Sequence, residues 1–256
     1  MRLNFNWSRV ALLSVPYTGM SLLYGMRNGF DIVTLLISIL VLAISLSFHE
    51  MAHAWSAYKL GDDTAAVQGR LTMNPLAHLD PIGSLMFLLA GIGWARPVPI
   101  NPARFSRSKT IKQGIMLTSL AGPMSNLVLA AVSLIVLYLF LTIASIAQIE
   151  VGAFTDVVMQ LGQYMFYANI TLAVFNLLPV PPLDGFKIFG SMLPDRLYYR
   201  IMGYERYIGM AFLLLVLFGR GILGTVLGLI RIPFEYVILN PIAGFFGWLW
   251  GILGLV

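Results

Sequence analysis

Long apolar stretches, separated by short polar loops that contain proline, account for most of the chain. In the clearest stretch, Phe30 to Leu60, no charge lies between Ile32 and Phe48, and a helix over residues 31–49 rises about 27 Å, close to the thickness of a bilayer core. Further spans are predicted at residues 114–149, 157–182 and 207–230, whereas the apolar residues 10–26 and 233–256 are open to other interpretations. The pattern therefore predicts an all-α polytopic membrane protein with a bundle of about 4–6 transmembrane helices.

Three segments between these spans do not fit a simple crossing. Residues 82–93 are apolar but too few to cross as a helix, which indicates a re-entrant segment. Within the polar loop before it, residues 66–73 are predicted to form a short strand, and residues 186–206 mix basic and tyrosine side chains as an interfacial helix does. For residues 10–26 the possibilities are a first span, an interfacial segment or a signal peptide, and Pro16 argues against the last.

Composition supports a membrane location and narrows the chemistry. Of the 256 residues 59% are hydrophobic and 11% are charged, against roughly 25% charged in soluble domains. The net charge of +5 lies in loops, where lipid headgroups explain it better than nucleic acid does. Lys and Arg concentrate in residues 59–112 and 185–206 and are absent from 150–156, so both basic loops are expected on the cytoplasmic side of the cell membrane, with the re-entrant or β segments beside them.

A metal-binding pattern lies at the cytoplasmic end of the first clear span. In His49-Glu50-x-x-His53 the two histidines stand at i and i+4 on one helix face and can bind one zinc ion, while Glu50 can accept a proton from a water that zinc activates. Ionisable groups in hydrocarbon cost roughly 3 kcal/mol each, so their presence favours a functional site. Since the chain has no cysteine and only three histidines, the remaining ligand must come from His78 or a carboxylate.

Asp184 and His78 are the leading candidates for that third ligand. Asp184 follows a span that unwinds at Pro179, Pro181 and Pro182, which brings it to the same membrane side as His53, although such an aspartate can also be a simple turn former. His78 lies in a polar loop and can be a ligand, a group that supports a ligand or a surface residue, and the second of these is favoured.

Three motifs together resemble the site-2 protease family of intramembrane zinc metalloproteases. They are His49-Glu50-x-x-His53, Gly122-Pro123-x-x-Asn126 and a stretch from Asn176 through Pro179 and Pro181 to Leu183-Asp184-Gly185, and the likeness covers about Phe30 to Arg220. The resemblance implies one zinc per chain on His49, His53 and Asp184, with Glu50 as general base and later acid. It also implies a membrane-embedded peptide as substrate and a single membrane-embedded metalloprotease domain over residues 1–256, with a catalytic core at about 30–220.

Two further stretches, Asn74 to Gly83 and Gly93 to Phe105, are similar to a compact bacterial and archaeal subgroup of this family. The short connection 150–156 leaves no room for the PDZ domain that many relatives carry, and the hydrophobic C-terminal end does not fit a CBS domain.

Other roles stay open at this stage. Asn126, Asn176 and His78 are candidates to contact the substrate or support the ligands, although a polar Asn in an apolar helix often only satisfies a neighbouring helix. A non-catalytic binder of transmembrane helices and a metal transporter are the rival functions. Glu50 argues against the binder, and the lack of an internal repeat argues against the transporter.

Overall fold

The structure is a computed structural model that describes residues 31–90, 93–150 and 152–255, and these residues are mostly helical. The helices are α1 (Ile32–Lys59), α2 (Thr64–Val67), α3 (Pro75–His78), α4 (Pro81–Ala90), α5 (Ile111–Ile146), α6 (Ala153–Asn176), α7 (Asp184–Gly190), α8 (Asp195–Met202), α9 (Glu205–Phe218) and α10 (Arg220–Ile252), with a 3₁₀ turn at Pro102–Arg104. The predicted all-α class is confirmed. The apolar residues 10–26 lie outside the described part of the chain.

Three of the described helices are long and apolar enough to cross a membrane, namely α1, α5 and residues Gly221–Ile252 of α10. The pair α8 and α9, bent by 61° at its break, would make a fourth. With this pair counted as one span, the described helices give four candidate spans, the lower end of the predicted range of about 4–6. The 24-residue helix α6 is not among these candidate spans; it packs against α1, α5 and α10 and carries buried polar groups such as Asn169. A span at residues 157–182 stays a prediction.

The predicted strand at residues 66–73 is wrong. The Asp62 carboxylate accepts a hydrogen bond from the Thr64 backbone N–H (3.0 Å), and α2 follows at once. Gly69 then turns the chain with φ +67°, and Arg70 N donates to Ala65 O at 2.8 Å. Residues 64–70 therefore close into a compact turn. The described residues contain no strand, only one antiparallel bridge between Leu79 and Ala95. At the predicted re-entrant segment the chain forms α4, and its path relative to a membrane stays a prediction.

The predicted span at residues 207–230 is also wrong as a single helix. The helix α9 ends at Phe218, and α10 begins at Arg220 and continues through Pro233 and Pro241. Proline removes one helical hydrogen bond, but a membrane helix tolerates this because neighbouring groups satisfy the freed carbonyl. Pro233 and Pro241 therefore do not interrupt α10, and the helical break in this region lies at Gly219.

The largest core lies between α5, α6 and α10. Its buried side chains are Ala130, Leu134, Leu137, Tyr138, Leu141, Phe166, Tyr167, Ile170, Val174, Phe246 and Trp250. The Trp250 indole donates to Thr142 Oγ1 at 2.7 Å and joins α10 to α5. On α10, Arg231 and Glu235 pair with each other one helical turn apart, and the guanidinium lies 5.3 Å from the centre of the Tyr167 ring on α6. These contacts hold α6 at the centre of the bundle.

The short helices after α6 are fastened to the start of α5. Lys112 Nζ donates to Leu193 O at 2.7 Å, pairs with Asp195 at 2.5 Å and lies over the Tyr198 ring. Tyr198 in turn stacks on Phe186 of α7. Since α7 begins with Asp184, these contacts also fix the carboxylate that the sequence singles out.

Candidate metal centre

Two histidines one turn apart on α1 form half of the site. The rings of His49 and His53 meet edge to face with centroids 4.6 Å apart, and both residues are buried. They lie directly against α5 at Gly122, where a Cβ would come within 2.4 Å of His53 Nε2. Only glycine therefore allows the two helices to approach so closely at this point.

Asp184 completes the group from the other side. The helix α6 ends at Asn176, the proline-containing stretch follows, and α7 begins at Asp184. The Asp184 Oδ2 atom lies 3.2 Å from His49 Nε2 and 3.1 Å from His53 Nε2, and the two Nε2 atoms are 3.0 Å apart. Gly185 permits this placement, because a Cβ there would lie 2.2 Å from Leu177 O.

The three ligand atoms have the spacing and chemistry that zinc needs. A tetrahedral zinc ion with bonds of about 2.0–2.1 Å holds its ligand atoms about 3.3 Å apart, close to the three distances here. Burial raises the pKa of the Asp184 carboxyl, but a protonated His53 and hydrogen bonds from both imidazoles lower it by more, so positive charge at this point, whether a proton or a metal ion, favours the carboxylate. Three protein ligands also leave the fourth tetrahedral position for water.

Each histidine is oriented by an oxygen on α5. His49 Nδ1 lies 2.6 Å from Asn126 Oδ1, and His53 Nδ1 lies 2.7 Å from Thr118 O. Both oxygens accept, so each Nδ1 carries the proton and each Nε2 keeps a free lone pair for the metal. Thr118, Gly122 and Asn126 are spaced four residues apart, so one face of α5 holds both imidazoles.

The Asn126 amide is fixed in turn by α1 and α6. Its Nδ2 donates to Asn169 Oδ1 at 2.7 Å and to Ser45 O at 3.2 Å, and Asn169 Nδ2 donates to Ser45 Oγ at 2.9 Å. These bonds to Nδ2 turn the Asn126 Oδ1 atom toward His49 Nδ1, so the buried amide is held in the orientation that binds the His49 ring. Sequence reasoning missed Asn169, Ser45 and the Thr118 carbonyl, and the only signal for Asn169 was a polar residue inside an apolar run.

We expect Asn169→Ala to weaken zinc binding by about 10–100-fold, as loss of outer partners of metal ligands does. Without Asn169 Oδ1, the Asn126 amide can rotate and no longer holds His49 in one tautomer. Titration of the purified protein with zinc against a competing chelator measures the change. Asn240→Ala is the matched control, because Asn240 is exposed on α10 and does not line the cavity; an equal loss in both variants would contradict this account.

Glu50 faces the same cavity as the three ligands. The cavity has a volume of about 150 Å³, and its other polar lining includes Asn176 and Lys187. The Glu50 carboxylate accepts a hydrogen bond from Val98 N at 3.0 Å. Because Val98 lines the cavity, this bond fixes the position of the carboxylate at the cavity wall. A carboxylate beside a three-ligand metal centre is an arrangement that can hydrolyse an amide bond.

His78 lies apart from this group. It is fully buried, its Nε2 bonds to Thr72 O at 2.8 Å, and it belongs neither to the ligand cluster nor to the cavity lining. Its carbonyl accepts from Arg96 N at 2.7 Å, beside the bridge between Leu79 and Ala95. In the structure His78 therefore holds two loops together.

Apolar helices around a buried His-His-Asp centre, with a glutamate in the same cavity, define a membrane metallohydrolase. Residues 37–216 match Peptidase family M50, and the chain belongs to this family of site-2 proteases. It is a multi-pass membrane zinc metalloprotease of the site-2 type, as the resemblance implied.

Several relatives bear names that agree with this class. The chain is 41% identical over 177 residues to a Bacillus subtilis (strain 168) protein named Putative zinc metalloprotease YwhC, over 69% of this chain and 78% of the relative. It is 34% identical over 166 residues to Putative zinc metalloprotease Rip2 of Mycolicibacterium smegmatis, over 61% and 57% of the two chains. Putative zinc metalloprotease MJ0611 of Methanocaldococcus jannaschii is 26% identical over 184 residues, over 72% and 84%. No solved structure matches the chain.

Proposed function

We propose that the protein is an endopeptidase that cleaves peptide bonds in or near transmembrane segments of other membrane proteins. His49, His53 and Asp184 hold one zinc ion, and Glu50 is the general base. The observation that carries this proposal is the convergence of three buried ligand atoms, 3.0–3.2 Å apart, in one cavity with the Glu50 carboxylate.

The chain's own residues divide the chemistry among them. When bound, zinc supplies a Lewis acid that polarises the substrate carbonyl and makes water more acidic. Glu50, held by the Val98 N–H, accepts the proton as water attacks the carbonyl carbon and then donates it to the leaving nitrogen. Asn176 and Lys187 line the cavity with N–H groups that can bind the carbonyl oxygen as its charge develops.

The substrate must be unwound before this step. A transmembrane helix uses its carbonyls in i to i−4 hydrogen bonds, so they are not open to attack. The extended residues 94–100, of which Pro97, Val98 and Ile100 line the cavity, offer a backbone edge beside which an unwound strand can align. Residues 66–73 are not part of this edge, because they form the turn described above.

The active site belongs on the cytoplasmic side of the cell membrane. The basic loops that flank it, residues 59–112 and 185–206, support this orientation by the positive-inside rule. The lipid bilayer and transmembrane proteins are the partners that this location implies.

Co-reconstitution tests the proposal. The purified protein is placed in vesicles with a total membrane-protein extract, stripped with a chelator, and then supplied with zinc or with magnesium. We expect new peptide termini inside apolar segments, found by mass spectrometry, only after zinc is added. Uptake of zinc by the vesicles with no new termini would favour the transporter and reject the protease.

A further inference from the structure

The extended residues 94–100 form a strap along the cavity, which we call the cavity strap. The Ala95 bridge to Leu79 and the Arg96 N–H to His78 O fix its first half. Its second half carries the Val98 N–H that binds Glu50 at 3.0 Å. The position of the strap therefore sets the position of the proposed general base.

Arg70 fixes the second half of the strap by binding its backbone carbonyls. Its Nη2 donates to Arg96 O at 2.6 Å and to Pro97 O at 3.2 Å, the two carbonyls directly before the Val98 N–H. The residue is only 7% exposed, which is unusual for an arginine that forms no ion pair with any residue in the described part of the chain. Its backbone is held by the bond to Ala65 O in the turn after α2. Arg70 thus connects a rigid turn to the strap.

Charge and packing support the same connection. Burial and the nearby Arg96 charge lower the pKa of the Arg70 guanidinium, and the Glu50 carboxylate offsets part of this, so Arg70 and Glu50 attract each other. Val98 packs into a small core with Ala54 of α1 and Ala65 of α2, with Leu71 against it. The residue after Arg70 therefore packs against the strap that Arg70 binds.

We propose that Arg70 is a positioning residue for Glu50. By binding the Arg96 and Pro97 carbonyls, it directs the next N–H of the strap at the Glu50 carboxylate. It touches no metal ligand, so its loss should misplace the base and leave the zinc bound. The catalytic consequence rests on the proposed protease function, whereas the anchoring of the strap does not.

Hydrogen exchange tests the anchoring without any reference to activity. In Arg70→Gln, a peptide that covers residues 94–100 should exchange faster than in the wild type, because the strap has lost two hydrogen bonds. Arg104→Gln is the matched control: Arg104 pairs with Asp63 at the surface and binds no strap carbonyl. Unchanged exchange in Arg70→Gln, or equal acceleration in both variants, would overturn the proposal.

Cleavage in the vesicle assay tests the consequence for Glu50. Arg70→Gln should lower the rate by about 10–100-fold at unchanged zinc content, since small misplacements of a reacting group have effects of this size. Arg70→Lys should recover part of the rate, and Arg104→Gln should cleave like the wild type. Loss of activity that parallels loss of zinc would instead show a merely structural role and overturn the proposal.

A double-mutant cycle tests whether Arg70 affects Glu50 through the Val98 N–H. Val98→Pro removes the backbone N–H that donates to the Glu50 carboxylate. Proline is compatible with an extended backbone at this position. If Arg70 acts through this N–H, adding Arg70→Gln to Val98→Pro should cost little more than Val98→Pro alone. Fully additive effects would overturn the proposal. If the wild type itself cleaves nothing, the protease function fails, and the exchange experiment still decides whether Arg70 anchors the strap.

Discussion

Replacement of Glu50 by glutamine is expected to abolish cleavage and to leave the zinc in place. Glutamine has nearly the same volume and keeps an oxygen that can accept the Val98 N–H, so the cavity should retain its shape. An amide cannot accept the proton of the attacking water or return one to the leaving nitrogen. Loss of general acid–base catalysis lowers the rate by about 10²–10⁴-fold.

Two measurements on the same sample check this expectation. Elemental analysis gives the zinc content per chain, and mass spectrometry of the vesicles gives the new peptide termini. The matched control is Glu150→Gln, at an exposed position between α5 and α6. Undiminished cleavage by Glu50→Gln would reject the mechanism, and loss of zinc from it would mean that Glu50 also binds the metal.

The three candidate ligands could be predicted from the sequence because they depend on local geometry. The i, i+4 spacing of His49 and His53 fixes their common face once the segment is a helix. Asp184 required one further step: the alternation of basic and uncharged loops gave its membrane side. The structure brings the three together within hydrogen-bonding distance of one another.

The hydrogen-bond partners of the candidate ligands could not be predicted from the sequence in the same way. Which residue of α6 meets Asn126 depends on how α1, α5 and α6 are rotated against one another, and the hydrophobic period does not set that rotation when every helix is apolar on all sides. Asn169, the Thr118 carbonyl and the Val98 N–H are contacts of this kind.

Errors in the fold arose where two local signals competed. The predicted span at residues 207–230 ends shortly before Pro233, and proline breaks helices in water. Inside the apolar bundle α10 runs through Pro233, and the helical break lies at Gly219 instead. At residues 66–73 the β-branched and apolar side chains favoured a strand, but the Asp62 cap and Gly69 closed the chain into a turn.

Gly122→Ala is expected to reduce zinc affinity strongly although it removes no candidate ligand. The new methyl group would lie 2.4 Å from His53 Nε2 and 2.6 Å from His49 Cε1, far inside van der Waals contact. The helix α5 cannot simply retreat, because Thr118 and Asn126, one turn to each side, hold the two imidazoles by hydrogen bonds. Relief of the clash therefore loosens at least one ligand.

Overpacking of this kind costs about 1–3 kcal/mol, which corresponds to roughly a 5–150-fold rise in the zinc Kd. Competition with a chelator measures the Kd, and cleavage at limiting zinc should fall by the same factor. Gly224→Ala on α10 is the matched control, since a Cβ there meets no atom within 4 Å. An unchanged zinc Kd in Gly122→Ala would show that α1 and α5 can separate without cost, and the close approach of these helices would then not be what holds the centre together.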